Sequence, residues 1–230
     1  ITKLRDFDDR GLRIEMEKNA AILMADLSGY TAMTDVHGGA SAAKMISKYI
    51  ELVNKSLSGQ SKIVQRVGDQ IVLVSDHPRD LGTTILKLID FILEEDNFLS
   101  LHAGLHYGPI HYANDNLFGS TINVASRIMN LAARGQVLCS SKFVEQIESD
   151  LFSFSSIGKF KFKNVLHEVQ IFELLRENVP SVPIDPVCHM HLSTPTKFSY
   201  EWSGTTFYFC SDHCRNIFAT DPHAFVMVTE

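Results

Sequence analysis

The eight residues Ala20 to Leu27, Ala-Ala-Ile-Leu-Met-Ala-Asp-Leu, place the tightest limit on the fold of this chain. A nearly continuous apolar run of this length predicts a central β-strand covered on both faces, and therefore a sheet with layers packed against it. The run ends in Asp26-Leu27-Ser28-Gly29-Tyr30-Thr31, which sets a carboxylate at the strand tip. With 230 residues, the chain has room for one large domain, or for one ordinary domain and a small one.

Downstream, Ala43, Met45, Ile46, Tyr49, Ile50, Leu52 and Val53 recur at helical spacing, predicting a helix over 41–57 that Ser58-Gly59 ends. Two short β-rich runs, 62–67 and 70–75, meet at Gly68-Asp69 and read as a hairpin with Asp69 at its tip. If that hairpin lies beside the strand ending at Asp26, two carboxylates converge. Their mutual repulsion is relieved by a hard divalent ion such as Mg²⁺ or Mn²⁺. Gln65 alternates with Ile63 and Val67, which puts an amide on the apolar face, where it needs a partner.

A second amphipathic helix is expected over 80–95 and a strand over 99–106, with Gly108-Pro109 turning the chain back into 110–113. His102 and His106 on that strand read as structural histidines and Cys139 as inert packing. Leu117 to Ala133 predicts another amphipathic helix, entered through Gly119 and Ser120 as turn and N-cap. On it Asn123 and Arg127 stand one turn apart on one face, an amide and a guanidinium suited to a polyphosphate. Helices crossing between strands that can pair antiparallel give an α+β domain of the ferredoxin-like βαββαβ kind.

The formal net charge of -6 argues against broad nucleic-acid binding, which needs a basic surface. No apolar run approaches the ~18 residues needed to cross a bilayer and no signal peptide is visible. A cytoplasmic protein without membrane contact is expected. Cys188, Cys210 and Cys214 crowd into the last fifth of the chain; three thiols cannot all pair with one another and read better as ligands of a transition metal. Ser211 is placed to cap a short helix beside Cys210 and Cys214.

Several motifs in unbroken order over residues 20–175 resemble those of the class III nucleotidyl cyclases: Met24-Ala-Asp-Leu-Ser-Gly-Tyr-Thr31, Val67-Gly-Asp-Gln70, Ala103-Gly-Leu-His-Tyr-Gly-Pro109, Phe118-Gly-Ser-Thr-Ile-Asn-Val-Ala-Ser-Arg127 and Phe162-Lys-Asn-Val165. The resemblance implies that Asp26 and Asp69, helped by the backbone of Leu27, bind two Mg²⁺ or Mn²⁺ ions. It also implies that Asn123 and Arg127 stabilise the transition state, that Lys163 on a late strand meets the terminal phosphates, and that two copies form a homodimer with shared sites. At the positions where family members read the base, this chain carries Gln65 and Asn116, with Asp115 adjacent. Guanylate-specific members use a Glu at the first of these positions, so ATP is the expected substrate and GTP the alternative. The rival function is a catalytically impaired, cyclase-like nucleotide or metal sensor.

Asp185-Pro-Val-Cys-His-Met190 and Tyr208-Phe-Cys-Ser-Asp-His-Cys214 resemble the YHS domain, a small treble-clef-like metal-binding module. Zn²⁺ or another transition metal on Cys188, Cys210 and Cys214 is implied, with His189, His213 and Asp212 as candidates for the fourth ligand. The expected organisation is a cyclase domain over 1–177, a Pro-containing linker over 178–184 and the module over 185–230.

Overall fold

The computed structural model describes residues 18–113, 116–147, 151–176, 182–192 and 196–226, with the side chains of 112, 113 and 116 left out. The elements run β1 (Lys18–Leu27), α1 (Tyr30–Ser56), β2 (Lys62–Val67), β3 (Gln70–Ser75), α2 (Pro78–Leu93), β4 (Phe98–Leu99), β5 (Leu101–Ala113), β6 (Asn116–Phe118), α3 (Ser120–Leu131), β7 (Val137–Ser140), α4 (Ser141–Val144), β8 (Ser153–Phe160) and β9 (Val169–Leu175). After them come β10 (Met190–His191), β11 (Ser199–Trp202), β12 (Thr205–Tyr208), α5 (Asp212–Thr220) and α6 (His223–Val226). The fold is α+β, and the chain divides into two compact units that alternate along the sequence.

The first unit takes 18–26, 57–85 and 102–176 and holds the sheet, in the order β2-β3-β1-β5-β7-β9-β8 with β6 paired to β5. As the apolar run predicts, β1 is central and Ala20 through Ala25 are buried. Ala20, Ile22 and Met24 pack with Val72, Val74, Ile110, Ala125 and Met129. Helix α3 is seated on β5 at Gly104, where a Cβ would run into the backbone of Ala125 and Met129. That contact buries Val124, Ala125, Ile128 and Met129 and leaves the opposite face of α3 open.

Three expectations change here. Strand β5 continues through Gly108-Pro109 instead of turning, and Pro109 lies past the residues paired with β7 and before those paired with β6. Its carbonyl accepts from Thr121 Oγ at 2.7 Å. The N-cap of α3 is Gly119, which makes no side-chain cap bond, and Ser120 is already in the helix. Helix α1 begins at Tyr30, eleven residues before the expected start, and is broken at Gly38, whose φ of 79° suits glycine.

The second unit takes 27–56, 86–101 and the described residues after 181. In it β10 pairs antiparallel with β4, and His191 Nε2 lies 2.9 Å from the Glu95 carbonyl oxygen. Phe218 on α5 is fully buried, with the rings of Phe207, Phe209, Tyr200 and Phe225 at 4.8, 5.2, 5.9 and 6.0 Å. The expected linker falls largely on 177–181, outside the described residues.

Replacing Gly104 by Ala should lift α3 from β5 and cost about 1–3 kcal/mol, the usual toll of overpacking a filled site. Urea unfolding of the variant beside the parent measures this.

Candidate functional site

Ala25 on β1 faces Ile71 on β3, so one further step of the same register sets Asp26 opposite Gln70, with Asp69 next to it in the turn. The hairpin does lie beside the strand ending at Asp26, and the two half-buried carboxylates share one end of the sheet. His102 on β5 is close enough for its proton affinity to feel Asp69: burial lowers its pKa, and the negative charge of Asp69 opposes that shift. Carboxylate oxygens converging at a strand end form a donor set that suits hard divalent ions.

Asn123 and Arg127 are exposed together on the open face of α3. Asn123 lines a cleft of about 470 Å³ whose other wall runs from Asn164 to Glu168 and into Val169 and Gln170 at the start of β9. Lys163 is exposed in the turn that opens this wall, a correction to its expected place on a strand. Neither Asp26 nor Asp69 lines the cleft.

Gln65 departs from expectation, because it is exposed. The β2–β3 register shifts between Ile63 and Gln65, which makes Val64 an extra residue that packs on the core, and Gln65, Arg66 and Val67 at the end of this edge strand are exposed. Asn116 opens β6, but its side chain, like all of Asp115, lies outside the described residues.

The structural role expected of His106 holds. Its Nδ1 lies 2.6 Å from Ser140 Oγ, which also accepts from the Phe143 N–H, so the hydroxyl hydrogen is free to point at the ring of a neutral imidazole. Burial, aided by the charge of Lys142, pushes His106 down to about 4. Burial raises the Cys139 thiol well above its ordinary range, in keeping with inert packing.

In the second unit the three C-terminal thiols come together. Sγ of Cys210 is 3.6 Å from that of Cys188 and 3.5 Å from that of Cys214, too far for a disulfide. Hydrogen bonds from Cys188 and then Cys214 hold the Cys210 thiol far below its ordinary range, while the bond to Cys210 drives Cys188 the other way. The buried carboxylate of Asp185 pins both thiol-bearing loops, accepting from the N–H of Val187 and Cys188 through one oxygen and of Cys210 through the other. Ser211 caps α5 as expected, accepting from the Cys214 N–H.

None of the three residues weighed as fourth ligand reaches the cluster. Asp212 and His213 are exposed on α5, with Asp212 paired to Arg215 at 2.6 Å, and His189 is set against Gly29. The group that does reach it is His37 of α1, its Nε2 3.5 Å from the sulfurs of both Cys210 and Cys214. The donor atoms of all four residues lie within 4.8 Å of one another. Sequence reasoning missed His37 because it stands 173 residues before Cys210. The one available signal was a thiol trio short of a fourth donor.

The adenylate and guanylate cyclase catalytic domain family matches residues 12–175, and the YHS domain family matches 183–228. The chain belongs to the adenylate and guanylate cyclase catalytic domain family and carries a YHS domain behind that region. It is similar to the pH-sensitive adenylate cyclase MT1302 of Mycobacterium tuberculosis, 27% identical over 69% of this chain and 41% of that protein. It is also similar to an adenylate cyclase of Streptomyces griseus, 22% identical over 57% of this chain and 33% of that one. The chain thus spans well under half the length of these relatives. Among solved structures, the adenylyl cyclase CyaB of Pseudomonas aeruginosa superposes with a TM-score of 0.63 at 16% identity, over 71% of this chain and 96% of that one. The guanylate cyclase domain of RhGC from Catenaria anguillulae, solved with GTP, gives 0.59 at 16% over 70% and 98%.

Acid tests the His106–Ser140 pair. The fold keeps His106 neutral down to about pH 4, whereas the unfolded chain takes up the proton near 6.5, so between those values unfolding binds a proton. Stability should fall as pH drops through that window, by up to ~3 kcal/mol, and be indifferent to this group above it. Denaturant titrations at several pH values should show the slope in the parent and a shallower one in His106→Gln, where His102 and His191, also shifted down by burial, still contribute.

Proposed function

We propose that the chain is an adenylate cyclase that converts ATP to cyclic AMP and pyrophosphate at sites shared between two copies. The observation that carries this is the combination of two carboxylates at one sheet end with an exposed amide and guanidinium on α3 beside a cleft large enough for a small organic ligand. Asp26 and Asp69, with the Leu27 carbonyl, would hold two divalent ions, which when bound acidify the ribose hydroxyl and neutralise the polyphosphate.

The 3′ oxygen attacks the α-phosphorus as its proton leaves to solvent, and the bond to the bridging oxygen of the β-phosphate breaks to release pyrophosphate. Arg127 meets the charge that develops on the α-phosphoryl oxygens, Asn123 orients the ribose, and Lys163 holds the terminal phosphates. Contacts that strengthen in the transition state raise turnover more than affinity. Gln65 and Asn116 read the base through amides; the absence of a Glu at position 65 favours adenine over guanine.

The proposal includes a homodimer in which each site draws on two copies. Val67, Phe118 and Leu166 are 64%, 53% and 86% exposed, and each lies within three residues of a proposed substrate-binding position. Val67 on β2 and Leu166 just before β9 stand toward opposite edges of the sheet, so these are separate exposed side chains. A second copy would bring its own Asn123 and Arg127 to the carboxylates of Asp26 and Asp69.

Arg127→Ala and Asp69→Ala should each lower cyclic AMP formation by at least ~10²-fold, the loss expected for a preorganised electrostatic contact. Asp26→Ala mixed with Arg127→Ala should regain part of the activity that neither has alone, because mixed dimers restore one complete site. Full activity in either single variant overturns the assignment. Competition between ATP and GTP reads the base preference.

A further inference from the structure

We propose that Cys188, Cys210, Cys214 and His37 form one closed tetrahedral site for Zn²⁺ or a similarly thiophilic divalent ion, through which the ion bolts the YHS domain to helix α1.

Four of the six donor separations match the edges of a metal tetrahedron, and all six lie within 4.8 Å. Bonds of about 2.3 Å to sulfur and 2.0–2.1 Å to nitrogen give tetrahedral edges of roughly 3.7 Å between sulfurs and 3.6 Å between sulfur and nitrogen. The observed separations are 3.5 and 3.6 Å between sulfurs and 3.5 Å from His37 Nε2 to each of two sulfurs. Weak S–H donors do not otherwise draw three thiols and an imidazole to one point. The donor set of three thiolates and one imidazole is that of closed structural sites, with no position left for substrate.

The surroundings hold the ligands in place before any ion arrives. Asp185 fixes the backbone at Cys188 and Cys210, and Ser211 fixes it at Cys214. His37 is the last residue before the break at Gly38, so it ends a short helical segment that starts at Tyr30. At the other end of that segment, Gly29 lies directly under His189, the neighbour of Cys188. Residues 29–37, which follow Asp26 and Leu27 in the chain, are thus held by the YHS domain at both ends, and the metal supplies the hold at His37. Occupancy of the site governs the order of this segment, so a module that looks self-contained in sequence gains a ligand from the cyclase region.

The full chain, stripped with a chelator and titrated with Co²⁺, should take up one ion per chain at this site, with tetrahedral d–d bands and thiolate-to-metal charge transfer. Zn²⁺ affinity, read by competition with a chromophoric chelator, should fall at least ~100-fold in His37→Ala, as loss of one ligand in four requires. Imidazole added to that variant should restore the parent Co²⁺ spectrum, and His213→Ala should bind as the parent does. Hydrogen exchange needs no variant: amides of residues 30–37 should be protected with metal bound and exposed after stripping. The proposal is overturned by parent-like affinity and spectrum in His37→Ala, by an equal loss in His213→Ala, or by exchange in 30–37 that ignores the metal. None of these readings uses cyclase activity, so a chain that turns over no nucleotide yet titrates as described refutes the enzyme assignment and leaves this one standing.

Discussion

The antiparallel register of β1 on β3 is the constraint from which the rest of the first unit follows. Every residue from Ala20 to Ala25 is buried, so a slip of one position would exchange one apolar face for the other at little cost in burial. Charges at the two ends hold it. Lys18 at the start of β1 pairs with Asp76 just past β3 at 2.7 Å, and Asp26 stands at the opposite end. Sliding the strands would pull one of these groups into apolar surroundings, which costs far more than a repacked methyl group. The same bracketing that sets the register therefore delivers Asp26 beside Asp69.

Helix α3 works by division of its faces. The contact at Gly104 brings its backbone onto β5, and its buried residues secure it, so Asn123 and Arg127 project from a rigid support. The same unit carries the cleft and the half-buried carboxylates as separate features. Sequence families and spatial units divide the chain differently. The families meet between 175 and 183, whereas residues 27–56 and 86–101 belong in space with the C-terminal module.

Much of this was legible from residue pattern. The buried strand, the hairpin with Asp69 at its tip, the open face of α3 and the thiol trio all follow from periodicity or spacing, because each is set by local chemistry. What was not legible depends on tertiary partners. The bulge at Val64 shifts the strand's alternation without any Gly or Pro to announce it, and Gln65 beyond it is exposed on an edge strand that periodicity alone does not identify as an edge. Pro109 looks like a turn, yet β5 runs on past it to pair with β6. The first helical segment, 30–37, is too short to register as a period of its own, and its last residue has no sequence neighbour that hints at sulfur.

Gly29 carries a consequence for how such chains are assembled. It has a φ of 93°, and a methyl group there would collide with the His189 side chain. The two positions are therefore a matched lock and key, far apart in the chain. Transplanting this C-terminal module onto another catalytic domain requires a glycine at the corresponding turn, and any recipient with a side chain there would reject the graft however well its active site were preserved.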